Sequence, residues 1–291
     1  MKIVLLLLTF LVVSCDSKSS LSEVEPLTLI PSDFQVVGKL DVDETIKITG
    51  LADRLRYEIK RKPTLQLIPI ESVKDFYLAS GSGKATEEKG GIYIVVLKKA
   101  ADLDVIVDVY QKKFAENKEV ITGAKKYKEK IIHNIRDRKQ TLSACQMGPK
   151  TILLGPEEQV IKILQQKDDN IAGNQNLKEM MKAHQKFPLS VFMLSSKDSG
   201  SFLSQFSAFE QLSMSIKKSI KGADIFIESF SKDEEANNKT HATLQVVNFG
   251  LMYQFRDFIT SKDIKIIKSE KATRLNAAFS NEALKEMFIK K

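Results

Sequence analysis

The sequence predicts an α+β protein of two related halves, each a mostly antiparallel sheet with helices packed on one face. Three observations carry that expectation. Short β-branched runs bounded by glycine, proline or charged residues alternate with amphipathic helical stripes along the chain. Several of these runs are joined by hairpin-like loops, which is how antiparallel neighbours connect. The order of elements also repeats after about 150 residues, so that Val73–Ser80 corresponds to Gly222–Ser229 and Ile92–Lys98 to Thr243–Phe249. The repeat is one of pattern, with little residue identity.

The chain opens on a positive Met1-Lys2, an apolar run from Ile3 to Val13 too short to span a bilayer, and Val12-Val13-Ser14-Cys15. That is the layout of a secretory signal peptide over residues 1–14, cut between Ser14 and Cys15. Val12 to Cys15 resembles the bacterial lipobox. The resemblance implies a diacylglycerol on the Cys15 thiol and a mature protein held on a membrane of the bacterial cell envelope, facing outside the cytoplasm. Residues 15–32 then read as a lipidated tether, with Asp16 to Glu25 polar, serine-rich and without periodicity. Two or more acyl chains anchor firmly where one binds marginally, so no transmembrane helix is needed.

Residues 33–186 form the first expected half. Phe34 to Leu40 reads as a strand. Asp41 with Glu44 makes an aspartate capping box for a helix that carries Ile46, Leu51 and Leu55 and fades at Lys62-Pro63. Strands over Val73–Ala79 and Ile92–Lys98 flank a glycine-rich loop. Leu103, Ile106, Val107, Tyr110 and Phe114 fall on one helical face. Strand-like runs follow at Ile131–Ile135, Thr141–Met147 and Thr151–Leu154. Gly155-Pro156-Glu157-Glu158 then opens a helix with carboxylates at its positive end. A further helix capped at Asn176 carries Leu177, Met180, Met181 and His184.

Residues 187–291 form the second expected half. Ser190–Leu194 reads as a strand and Asp198–Lys221 as a helix with Phe202, Phe206, Phe209, Ile216 and Ile220 along one side. Ala223–Ser229 and Thr243–Val247 read as strands across a charged tip at Asp233-Glu234-Glu235. Asn248 caps a helix to Ile259, strands follow at Ile264–Ile267 and Thr273–Phe279, and Ser280 caps a closing helix. Thr151 to Glu158, and Leu177 to Leu194 leading into the second half, resemble a loose group of uncharacterised exported bacterial proteins with duplicated α+β halves. The resemblance implies fold and carries no chemical motif.

A chain of 291 residues with 43% hydrophobic content can bury a core without disulfides, and its two cysteines cannot pair if Cys15 carries lipid. Cys145, in a strand-like run, reads as a buried, inert thiol. The net charge of +8 falls to +7 when Lys2 leaves with the leader, a bias toward anionic surfaces. The lysines are interrupted by acids and not interleaved with aromatics, which excludes a nucleic-acid groove. His133, His184 and His241 stand in no metal-ligand spacing. His184 reads as structural and the other two as surface or edge residues. Neither a hydrolase elbow nor a P-loop occurs, and no cofactor or catalytic residue is expected. The candidate face for a partner helix or apolar ligand is the row Phe202, Leu203, Phe206, Phe209 and Leu212. The function read from these features is a non-catalytic binding or scaffolding module on a lipid anchor. The alternative is an envelope hydrolase or a carrier of a small apolar ligand, with a site between the halves.

Overall fold

In the computed structural model, which describes residues 22–48, 50–61, 66–81, 91–114, 121–136, 141–165, 169–194, 210–254 and 263–289, the β-branched runs become strands of one sheet. They are β1 (Val36–Asp41), β2 (Val73–Ser80), β3 (Ile92–Leu97), β4 (Ile121–Tyr127), β5 (Lys130–Arg136) and β6 (Thr141–Gly148). The others are β7 (Thr151–Gly155), β8 (Leu189–Leu194), β9 (Gln211–Lys218), β10 (Gly222–Phe230), β11 (Ile264–Lys268) and β12 (Ala272–Ser280). The helices are α1 (Val42–Thr45), α2 (Leu51–Arg61), α3 (Leu103–Lys113), α4 (Glu157–Gln165), α5 (Gln175–Ala183), α6 (Glu234–Gln254) and α7 (Asn281–Ile289).

The strand order is β11-β12-β10-β9-β8-β1-β2-β3-β7-β6-β5-β4, and every described pairing is antiparallel. The halves therefore join edge to edge through β1 and β8, from Val36 opposite Met193 to Leu40 opposite Leu189. Outward from this junction the two arms follow the same chain order, β1-β2-β3-β7-β6 and β8-β9-β10-β12-β11. Corresponding strands paired antiparallel imply a local two-fold relation, centred on the Gly38–Val191 pair. The hairpin β4–β5 is an addition to the first arm.

This correspondence corrects the one read from sequence. The counterpart of β3 is β10, whereas Thr243–Phe249 lies inside α6. Asp233 is not a hairpin tip but caps α6, accepting the Ala236 N–H at 2.8 Å, and Asn248 sits mid-helix rather than at a cap. Gln211–Lys218, expected as the end of a helix over 198–221, is the strand β9; the remainder of that expected helix up to residue 209 lies outside the described residues. The decisive signal is the alternation Leu212-Ser213-Met214-Ser215-Ile216, which has a period of two. The helix expected from Asp41 is two: α1 stops at Thr45, and Gly50, with φ 83°, turns the chain into α2. Asn174, not Asn176, caps α5, accepting the Leu177 N–H at 2.9 Å. Strand β4 has no sequence signal because it is an exposed edge with polar residues on both faces.

Pairing rows show where the core sits. On one face, Ile264, Ala277, Ile225, Ile216, Leu189, Leu40, Phe76, Val95 and Ile152 form an apolar row across nine strands. Helices α1, α2, α3, α6 and α7 cover this face through Val42, Leu51, Val107, Leu244 and Leu284. Transferring each buried aliphatic side chain from water stabilises the fold by about 1.5–3 kcal/mol, which is why one long row holds both arms. Over the second arm, the described helices lie on this face alone, as the pattern predicts. The first arm gains a second layer, α4 and α5, on the opposite face against Ile94, Leu153, Cys145 and Ile132.

Candidate functional site

The opposite face changes character along one row. Ile92, Ala79, Val37 and Phe192 are apolar and buried; the next residues outward are Ser213, Glu228 and Arg274. The change coincides with the end of the α4–α5 layer, and among the described residues no helix lies over the outer strands of this face.

His184 occupies the boundary. It is the C-cap of α5, its N–H bonded to the Met180 carbonyl at 3.0 Å, and it places its imidazole over β9. Ser213 and Ser215, two apart on β9, present their hydroxyls to it. Ser215 Oγ is 2.8 Å from Nδ1 and donates to Ser190 Oγ at 2.9 Å, while Ser213 Oγ is 3.2 Å from Nε2. Because Ser215 gives its proton to Ser190, the network places a ring hydrogen on Nδ1. Glu228 Oε2 lies 3.7 Å from Nε2, and Glu228 Oε1 accepts Arg274 Nε at 3.1 Å. The His184 imidazole beside it first, and then the bond from Arg274, hold the Glu228 carboxyl below its usual range against the opposing effect of burial. Phe187, Phe192 and Phe226 close the network from the sides, with Phe187 5.2 Å from both the His184 and the Phe226 rings and Phe192 5.7 Å from His184.

Serine, histidine and glutamate in one cluster invite comparison with a hydrolytic triad. A nucleophile must reach a substrate carbonyl and lose its proton to the histidine. Here Ser190, Ser213 and Ser215 are all buried, and Nδ1 donates to Ser215 instead of taking its proton. The arrangement is a sealed polar plug that ties α5 to β8, β9 and β10. Sequence reasoning places His184 as structural, and its surroundings agree. It misses the serines and Glu228, which no local motif links.

The other sequence candidates fall in separate places. Ser14, Cys15, Phe202, Leu203, Phe206 and Phe209 lie outside the described residues. Leu212 is not part of an exposed helical face: it is buried within β9, opposite Met193 and Ser229. His133 is buried rather than superficial, and its Nε2 meets Asp104 Oδ1 at 2.6 Å, joining β5 to α3; His241 is in α6. Cys145 is wholly buried in β6, and that burial pushes its thiol up to about 11. Among the described residues, no three His, Cys, Asp or Glu side chains are placed to hold a metal ion, and no helix is long and apolar enough to cross a membrane.

Near its N-terminal end the described chain packs on the β6–β7 turn. A Cβ on Gly148 would meet the Ser22 carbonyl oxygen at 3.0 Å, and Glu23 lies 3.5 Å from Lys150.

A twelve-stranded antiparallel sheet with helices on both faces of one arm is the class of fold this chain adopts. The same fold occurs in the Treponema protein TP0453. Its crystal form III superposes with a TM-score of 0.56 at 8% identity, and its crystal form I with 0.57 at 9%; each match covers 90% of this chain and 96% of the other. At such identities the likeness is one of fold alone. No family model matches the chain, and no curated protein matches it.

Proposed function

We propose that this chain is a lipid-anchored protein of the bacterial envelope whose folded part is a binding or scaffolding module and not an enzyme. The observation that carries this reading is the seam between the halves. A carrier or hydrolase of the alternative kind needs a cleft there, and the seam is a hydrogen-bonded ladder with Val37 and Phe192 buried across it. The sealed serine–histidine cluster beside it supports the same reading. Anchoring through Cys15 is supported by the leader pattern over residues 1–15. TP0453, which shares the fold, is an outer-membrane-associated protein, and that setting fits an anchored module.

The test is gentle detergent purification from the native envelope, with mass spectrometry of the protein and of whatever accompanies it, alongside a Cys15→Ala control. Cys15 should carry a diacylglyceryl group, and a stoichiometric companion should be lost from the membrane fraction in the control. A lipidated protein that comes away alone argues against scaffolding, and an unmodified Cys15 overturns the anchor.

A further inference from the structure

We propose that the end of the sheet bearing the β9–β10 turn docks on an anionic lipid surface, beside the lipid on Cys15. The orientation rests on the anchor reading above; the surface chemistry does not. Ile220, at the tip of the turn, is 104% exposed, so its side chain packs on nothing. Around it stand the exposed Lys217, Lys218 and Lys221. Lys217 lies over the Phe226 ring at 5.2 Å, and Lys218 and Lys221 form no ion pair among the described residues. A cleft of about 480 Å³ between this turn and the end of β12, lined by the three lysines, Asp224, Asp263 and Ser280, has room for a phosphate headgroup, and its three ammonium groups outnumber its two carboxylates. An apolar tip ringed by lysines suits a bilayer interface, where the tip enters the acyl boundary and the ammonium groups reach for phosphate.

Two further features lie at the same end. Antiparallel pairing puts the β9–β10 and β6–β7 turns on one side of the sheet, and the chain joins the fold at the latter. In the order β9-β8-β1-β2-β3-β7, five spacings separate these strands, about 24 Å at ~4.8 Å each. The seven residue steps from Cys15 to Ser22 reach at most about 25 Å, enough to bridge that span. Helix α6 starts at the far end, where Asn237 Nδ2 donates to the Ser269 carbonyl at 2.7 Å. Its 21 residues run about 31 Å toward the tip. Phe249 and Tyr253, near its C-terminus, are exposed there.

The test uses the chain from Cys15 onward made without lipid, since every described residue follows it. Co-sedimentation is measured with phosphatidylcholine vesicles and with phosphatidylcholine–phosphatidylglycerol vesicles. Binding is expected to the anionic vesicles only, weakening as salt rises. Each lysine near an anionic surface contributes about fivefold, so Lys218→Gln with Lys221→Gln should lower partitioning about 25-fold. Ile220→Ser should lower it about tenfold. All three residues are exposed, so Tm should not move. Lys232→Gln with Lys271→Gln, at the opposite end of the sheet, should change nothing. No binding to anionic vesicles, or equal loss from the two lysine pairs, overturns the proposal. The mass of Cys15 in the native protein reports on the anchor separately, so failure of one does not imply failure of the other.

Discussion

At the scale of single residues, the His184 cluster is where a substitution is most informative, because one carboxylate faces both the His184 ring and the Arg274 guanidinium. Glu228 accepts from Arg274 and sits beside His184, and its carboxyl is held below the ordinary value in the fold. A group whose folded pKa is depressed adds stability above its unfolded pKa, about 4.3 for glutamate, and loses it as pH falls through the folded value. Stability should therefore decline on acidification below about pH 4.3. Glu228→Gln should be less stable at neutral pH and show a flatter acid limb. Glu157, Glu235 and Glu282 are depressed as well, so the informative quantity is the difference between variant and parent in urea midpoint across pH. An identical acid limb in the two proteins would remove Glu228 from the account. None of this was legible in the sequence: His184 and Arg274 are far apart in the chain, and only the pairing of β9, β10 and β12 brings their partners into one row.

At the scale of elements, two glycines in strands behave differently for reasons the backbone makes plain. At Gly222, where β10 leaves the β9–β10 turn, a Cβ would lie 2.1 Å from the Phe279 carbonyl oxygen and 2.7 Å from the Ser280 carbonyl carbon, both backbone atoms that cannot step aside. Gly222→Ala should cost about 2 kcal/mol or more. At Gly38, on the junction between the arms, the nearest neighbours of a Cβ are Leu78 Cβ at 3.7 Å and a Val191 methyl at 3.8 Å, which is ordinary packing. Gly38→Ala should gain about 0.5–1 kcal/mol by restricting the unfolded chain. Urea denaturation of the two variants checks both signs. The elements that sequence placed well are those whose signal is local: the stripe of α3, the apolar run of β7, and the acidic first turn of α4. Those it misplaced depend on partners. Thr243, Val246 and Val247 have strand propensity, yet Asn237 pins their segment as a helix by bonding to Ser269, Glu270 and Thr273 across the end of β11 and β12. Tertiary contacts outweigh a propensity worth a fraction of a kcal/mol per residue.

At the scale of the molecule, the arms are related in pattern but share their cores. Phe192, from β8, is buried among Val37, Ala79 and Ile92 of the other arm. In return, Ile48 and Leu51, which lie between β1 and β2 in the chain, pack with Ile216, Leu275 and Leu284 beyond the junction. A chain ending at residue 186 would thus expose the hydrogen-bonding edge of β1 and leave Ile48 without cover. An unpaired apolar edge is a site of aggregation. Residues 15–186 made alone should give no cooperative unfolding transition and should self-associate, whereas the whole chain should unfold in a single step. Hydrogen exchange gives the sharper reading. Amides of β5 and β6 in one arm and of β10 and β12 in the other should lose protection together, at one global free energy. Phe192→Ala, which removes about 3–5 kcal/mol of packing at the junction, should lower both sets by the same amount. If the two sets separate, or if residues 15–186 alone melt cooperatively near the Tm of the whole chain, the arms are independent domains. In that case the shared cores contribute little, and a partner could bind one arm without sensing the other. If they move together, a ligand or surface that grips the β9–β10 turn stabilises the whole sheet by mass action, back to the β6–β7 turn on which Ser22 and Glu23 pack.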